Sequence, residues 1–184
     1  MSFFDIDLSV PAEKTHVTVD NTPFPKGTKV TVYVSQIGWA TSDFDGRHIA
    51  VKYDLVGPDE CVKKRKHQNQ KLKVLSDDKN QRDKAIQKLM TIDANGKNKL
   101  REFLEKNKGQ EPDDRTLMAA LANVFLDLEL EVYAEKETNE MGIEVTVPKS
   151  NWVNKIGPKG SMVGVTPAPA ANPGFNIDDD IPFN

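Results

Sequence analysis

Two hydrophobic periods divide the chain. Across residues 29–37, Val30, Val32 and Val34 share one parity and Thr31, Tyr33 and Ser35 the other, the two-residue repeat of a half-buried strand. Gly38 and Asp45-Gly46 punctuate the following loop, which carries Trp39 and Phe44. Residues 47–56 alternate again, with Ile49, Val51, Tyr53 and Leu55 on one side and Lys52 opposite, until Gly57-Pro58 ends the strand. From 79 to 92 the period lengthens. Asp77 and Asp78 cap a helix whose Ala85, Ile86, Leu89, Met90 and Ile92 form an apolar stripe. Asn95-Gly96 breaks it, and a second helix over roughly 97–107 presents Leu100, Phe103 and Leu104. A third follows Pro112, with Asp113 and Asp114 at its positive end, and buries Leu117, Ala120, Leu121 and Val124. Period two returns at 125–132. There Leu126, Leu128, Leu130 and Val132 are set against Phe125, Asp127, Glu129 and Glu131, predicting one buried and one wet, acidic face. Glu140-Met141-Gly142 turns the chain into a last strand at 143–147, before Pro148, and Trp152 and Ile156 follow on a polar segment.

Other stretches lack a clear period. Residues 61–74 are too rich in charge and amide side chains for a confident strand and read as a long hairpin or mobile loop. Residues 1–27 alternate weakly: Phe3, Phe4, Ile6 and Leu8 are expected to dock on the body, and residues 16–19 to form a short edge strand. Beyond Gly160, repeated Pro, Ala and Gly predict a disordered linker with no core-forming pattern. The organisation expected is a mainly β domain over 1–160 with a helical insertion at about 78–124, and a flexible acidic tail over 161–184. A five-stranded Greek-key barrel of the OB type fits, because closing the sheet removes its edges. A plain α+β sheet with helices on one face is the alternative.

Charge looks unfavourable for a polyanion ligand until it is mapped. The chain holds 25 Lys and Arg against 28 Asp and Glu, for a net charge of −3. Residues 161–184 contribute three Asp and no base, and residues 60–88 hold ten bases against four acids. A local positive footprint matters more than the total. The one cysteine, Cys61, excludes an intrachain disulfide framework and a cysteine-rich zinc site.

Catalysis finds little foothold. Neither a Walker-type phosphate loop nor a dinucleotide fingerprint occurs, and His16, His48 and His67 lack metal-ligand spacing. The abundant carboxylates leave a metal-dependent nuclease as a minor alternative. A binding protein without cofactor or metal is expected. Non-specific single-strand binding needs bases for phosphates and exposed rings for nucleobases. The bases are Lys63, Lys64, Arg65, Lys66, Lys71 and Lys73, with Arg47 and Lys52 nearby. The rings are Tyr33, opposite the valine face, then Trp39, Phe44 and Trp152, whereas Tyr53 shares the core parity. The third helix is acidic at its start, unlike one that enters a major groove. RNA is an open alternative, because stacking platforms are largely indifferent to the sugar.

The chain closes on Phe175-Asn176-Ile177-Asp178-Asp179-Asp180-Ile181-Pro182-Phe183-Asn184: three acids followed by apolar Ile181 and Phe183 around Pro182, the pattern of a peptide received in a basic-rimmed apolar pocket. Asp178 to Phe183 resembles the acidic tip of bacterial single-stranded-DNA-binding proteins. That family's tip ends on the Phe, whereas Asn184 follows here. Over roughly residues 1–160, the lysine-rich middle and the order strand, helices, strand resemble the small single-strand-binding proteins of tailed phages. The resemblance implies an OB-fold body that protects single-stranded DNA during replication, recombination or repair. It also implies a tail whose tip recruits replication or repair proteins. A non-catalytic replication adaptor that does not hold DNA is the alternative. A free strand edge or the helical insertion offers a surface for a homodimer. No apolar run reaches the ~20 residues that span a bilayer, and the first ten residues carry acids where a signal peptide needs bases, so a cytoplasmic location is expected, in a bacterial or phage-infected cell.

Overall fold

The structure, a computed structural model, describes residues 22–163. The expectations for residues 1–21, including the docking apolars and the strand at 16–19, lie outside the described residues, as does the tail from 164 onward with its tip. What is described is mainly β: five antiparallel strands in one sheet, with helices between the third strand and the fourth.

Strand β1 (Thr28–Ser42) and β2 (Gly46–Gly57) form a long hairpin, and β3 (His67–Leu72) adds to β2. After helices α2 (Lys79–Asn95), α3 (Lys99–Lys106) and α4 (Asp114–Leu121), β4 (Phe125–Thr138) returns beside β1 and β5 (Glu144–Pro158) pairs with β4. The order β3-β2-β1-β4-β5 is that of a Greek key, with the fourth strand brought back next to the first. The sheet is not closed, since no ladder joins β3 to β5. Instead the two edges meet through side chains: Gln68 Nε2 donates to the Asn151 carbonyl (3.1 Å) and Arg65 to Asn151 Oδ1 (3.1 Å). Helix α2 contacts both edge strands.

Apolar periodicity fixes which face is inside. Val30, Val32, Val34, Leu126, Leu128 and Leu130 are all fully buried, each contributing about 1.5–3 kcal/mol on transfer from water. Tyr53, at core parity, is fully buried and donates its hydroxyl to Gln70 Oε1 (2.8 Å). The helical insertion supplies the other side through Leu89, Ile92, Leu100, Leu117 and Leu121. Its capping is local: Asp78 accepts the Asn80 and Gln81 amides, Asp113 accepts Thr116, and buried Asp93 receives the first amides of α3, Leu100 and Arg101 (2.8 and 3.0 Å).

Four expectations are corrected. Residues 61–74 are not a hairpin or mobile loop: helix α1 (Asp59–Lys64) buries Cys61, and β3 follows with Gln68 and Leu72 inward. Strand pairing satisfied the amide-rich segment that composition alone argued against. Trp39 lies not in a loop but inside β1. Ser35 is bulged, so inward parity passes from even to odd residues, and Ile37 and Trp39 take the core side opposite Val51 and Ile49. Pro148 does not end the last strand, because β5 is an edge whose free side needs no amide donor, and Trp152 therefore sits in a strand. Asp127 is not wet; it is fully buried.

Candidate nucleic-acid interface

The bulge at Ser35 builds the outer surface of β1, β2 and β3 as a series of cross-strand rows. Tyr33 faces Asp54, which faces His67; Gln36 faces Lys52, which faces Asn69; Gly38 faces Ala50, which faces Lys71. Since Gly38 and Ala50 carry almost no side chain, the middle of this surface is a trough. It forms an open groove of about 620 Å³ between Lys52, Asn69 and Lys71 on one side and Asp114 and Met118 of α4 on the other. Gly38 eases the close approach of α4, since a Cβ there would stand 3.1 Å from Asp114 Oδ1 and push that side chain aside. Helix α4 also caps the part of β1 that β4 leaves unpaired: Asp114 accepts the Trp39 amide (2.7 Å) and Met118 Sδ the Ile37 amide (3.2 Å).

One end of the surface carries an aromatic pair. Tyr33 and Phe125 lie with ring centroids 5.7 Å apart at 42°, and Phe125 is 45% exposed. The Lys159 ammonium stands 4.9 Å from the Phe125 centroid. Asp54 holds the row in place by accepting from Tyr33 Oη (3.1 Å), Ser35 Oγ (2.7 Å) and His67 Nδ1 (2.7 Å). Burial alone would raise its pKa, but these three donors outweigh burial and keep it below the ordinary carboxylate value. The same contact raises the Tyr33 pKa, through the hydrogen bond to Asp54 and then its charge. Phe125 shares the parity of Asp127, Glu129 and Glu131, so alternation alone does not mark it as a stacking ring. An aromatic among the acids of one parity is the signal.

The other sequence-predicted residues fall into different settings. Phe44 is 98% exposed at the tip of the β1–β2 turn. Lys71 and Lys73 both bind Asp45, and their hydrogen bonds hold its carboxyl well below the usual range. Arg47 forks onto Glu111 and covers the Trp39 ring at 4.3 Å. Trp39 itself is half-buried, with its indole N–H donating to the Pro112 carbonyl (2.8 Å). Lys63, on α1, and Lys66, whose carbonyl accepts the Leu55 amide next to Asp54, are exposed. Lys64 and Arg65 lie over Phe24 at 5.5 and 4.8 Å, and Arg65 also ties the seam between β3 and β5. Lys52 lines the groove and has no ion-pair partner among the described residues. Trp152, 47% exposed, lies on β5 beside α2, away from this surface.

The rest of the outer sheet is different in kind. Asp127 accepts Thr31 Oγ1 (2.8 Å) and the Met162 and Val163 amides (2.9 and 3.0 Å), pinning residues 161–163 across the sheet. The segment passes over Gly157, where a Cβ would collide with Ser161 Oγ at 2.6 Å. Glu129 pairs with Lys155 and Asn154, and Glu131 with Lys26. Among the described residues no three His, Cys, Asp or Glu side chains are grouped to hold a metal ion, and no helix is long and apolar enough to cross a membrane. No protein-family model matches the sequence, and no curated protein matches it.

Proposed function

We propose that this protein binds single-stranded DNA with little sequence preference during replication or recombination, and that its body is a partly open barrel of the OB type. The barrel reading rests on the Greek-key order, the side-chain seam between Gln68 and Asn151, and the helix spanning the remaining gap. The observation that carries the binding reading is the solvent-facing Tyr33–Phe125 pair beside a trough floored by Gly38 and Ala50 and edged by Lys52. Rings of this kind accept any base on their faces, and a small-residue floor lets a strand lie close to the sheet. The C-terminal residues Asp178 to Phe183 act, on this reading, as a docking peptide. The acids steer it to a basic surface and Ile181 and Phe183 supply apolar burial on a replication or repair protein.

The test is retention of labelled single-stranded DNA, duplex and RNA of one length side by side. Retention of the DNA single strand above duplex is expected. Failure to retain it would leave the adaptor reading. Deleting residues 176–184 should leave DNA affinity equal or higher while abolishing capture of the replication partner. Phe183→Ala should reproduce the loss of capture alone. Partner capture that survives both changes removes the docking role.

A further inference from the structure

A second basic surface begins where the sheet face ends. Three open grooves follow one another round the body. The face groove ends at Lys71. A smaller one of about 200 Å³, between β3 and α2, shares Lys71 and adds Lys73, Lys84 and Lys88. A third of about 430 Å³, between α2 and β5, shares Lys84 and Lys88 and ends on Trp152 and Lys155. Because each groove shares lining side chains with the next, the three make one track that turns the edge of β3.

The far part of the track has the chemistry of a polyanion site. Lys84 and Lys88, four residues apart, stand on one face of α2, where like charges repel. Neither meets a carboxylate among the described residues. The Lys88 ammonium is partly buried, donates to the Val153 carbonyl and lies 5.5 Å from the Trp152 ring centroid. Its burial, and then the charge of Lys84, lower its pKa. Two uncompensated ammoniums at a groove are relieved by an anion, and a half-exposed indole beside them suits a base attached to that anion.

We propose that single-stranded DNA leaves the β1–β2–β3 face over β3 and continues along α2 to Trp152, so that the occluded site is longer than the face itself. This rests on the single-strand reading above. It predicts that the two parts of the track differ in the oligonucleotide length they sense. The experiment compares oligothymidylates of about 6 and about 16 nucleotides, within the range of OB-fold site sizes. They are bound to the full chain and to Lys84→Gln, Lys84→Gln/Lys88→Gln, Trp152→Ala and Lys52→Gln. Lys84→Gln makes the test independent of folding, since that side chain has no partner among the described residues. The α2 and Trp152 variants should bind the short oligomer like the wild type and the long one about tenfold more weakly. For the lysine double variant the salt slope on the long oligomer should fall by about 1.4, two phosphate contacts at roughly 0.7 each. Lys52→Gln should weaken both lengths. Long-oligomer binding unchanged in every α2 and Trp152 variant, with Lys52→Gln still weakening both, overturns the track and leaves the face intact. If the α2 variants lose affinity for an Asp178–Phe183 peptide but not for the long oligomer, the groove is a peptide site and the track is equally overturned. Wild type that binds neither length overturns the single-strand reading itself.

Discussion

The outer surfaces of the two halves of the sheet are made by the same alternation and end in opposite chemistry. On β1, β2 and β3 the outward rows are Tyr33, Asp54 and His67, then Gln36, Lys52 and Asn69, then Gly38, Ala50 and Lys71, an open trough with a ring pair at one end. On β4 they are Asp127, Glu129 and Glu131, with Asp127 covered by residues 161–163 and both glutamates engaged by Lys155 and Lys26. The first surface pairs Lys71 with Asp45 and Asp54 with His67 but leaves Lys52 without an ion-pair partner among the described residues, whereas the second neutralises both glutamates. Net charge averages over this division and therefore says little about ligand. Side chains meet across the border where Phe125 leans on Tyr33 and where Thr31 donates to Asp127.

The largest effect that would break this comparison is loss of the rings. Tyr33→Ala and Phe125→Ala should each weaken oligonucleotide binding by about 1–3 kcal/mol while cooperative unfolding persists. Thermal melts beside fluorescence titrations separate that outcome from a folding defect. On the other half, Asp127→Ala should leave DNA binding in place but destabilise the fold by about 1–3 kcal/mol, because Thr31 and the part-buried amides of Met162 and Val163 lose the buried acceptor. Denaturant midpoints at constant slope check it.

The same contrast separates what could be read from the sequence and what could not. Strand and helix periods located β1, β2, α2, α4 and β4, because each has a long apolar face. Tyr53 as core and Tyr33 as outward followed from parity alone. Trp39 did not, because one bulged residue, Ser35, reverses parity and leaves no compositional mark. Strand β3 was hidden by its amides and lysines, whose burial at Gln68 depends on Asn151, 83 residues away. Arg65 looked like a phosphate ligand in a run of four bases, yet Gln68 and Asn151 use it as a seam. Charge clusters are legible in sequence; their tertiary partners are not.

Smaller effects sharpen the division. Since the folded Asp54 pKa is depressed, its contribution to stability is present above its unfolded value of about 4 and is lost as pH falls through the folded value. Asp54→Asn should therefore flatten the pH dependence of unfolding below about pH 4, measured by melts across an acid series. Smallest of all, Glu129→Gln/Glu131→Gln should change oligonucleotide affinity by less than about 1 kcal/mol, in the direction of tighter binding, as expected for half-buried carboxylates already paired with Lys155 and Lys26.

The central claim is that DNA binding begins on the rings of the β1–β2–β3 face and does not use the acids of β4. Its most direct measurement is the dissociation constant of one oligothymidylate for three proteins at fixed salt: the wild type, Tyr33→Ala/Phe125→Ala, and Glu129→Gln/Glu131→Gln. The account predicts at least about a tenfold loss for the ring variant and at most about a fivefold gain for the acid variant, with all three folded. Equal affinity of wild type and the folded ring variant would contradict it.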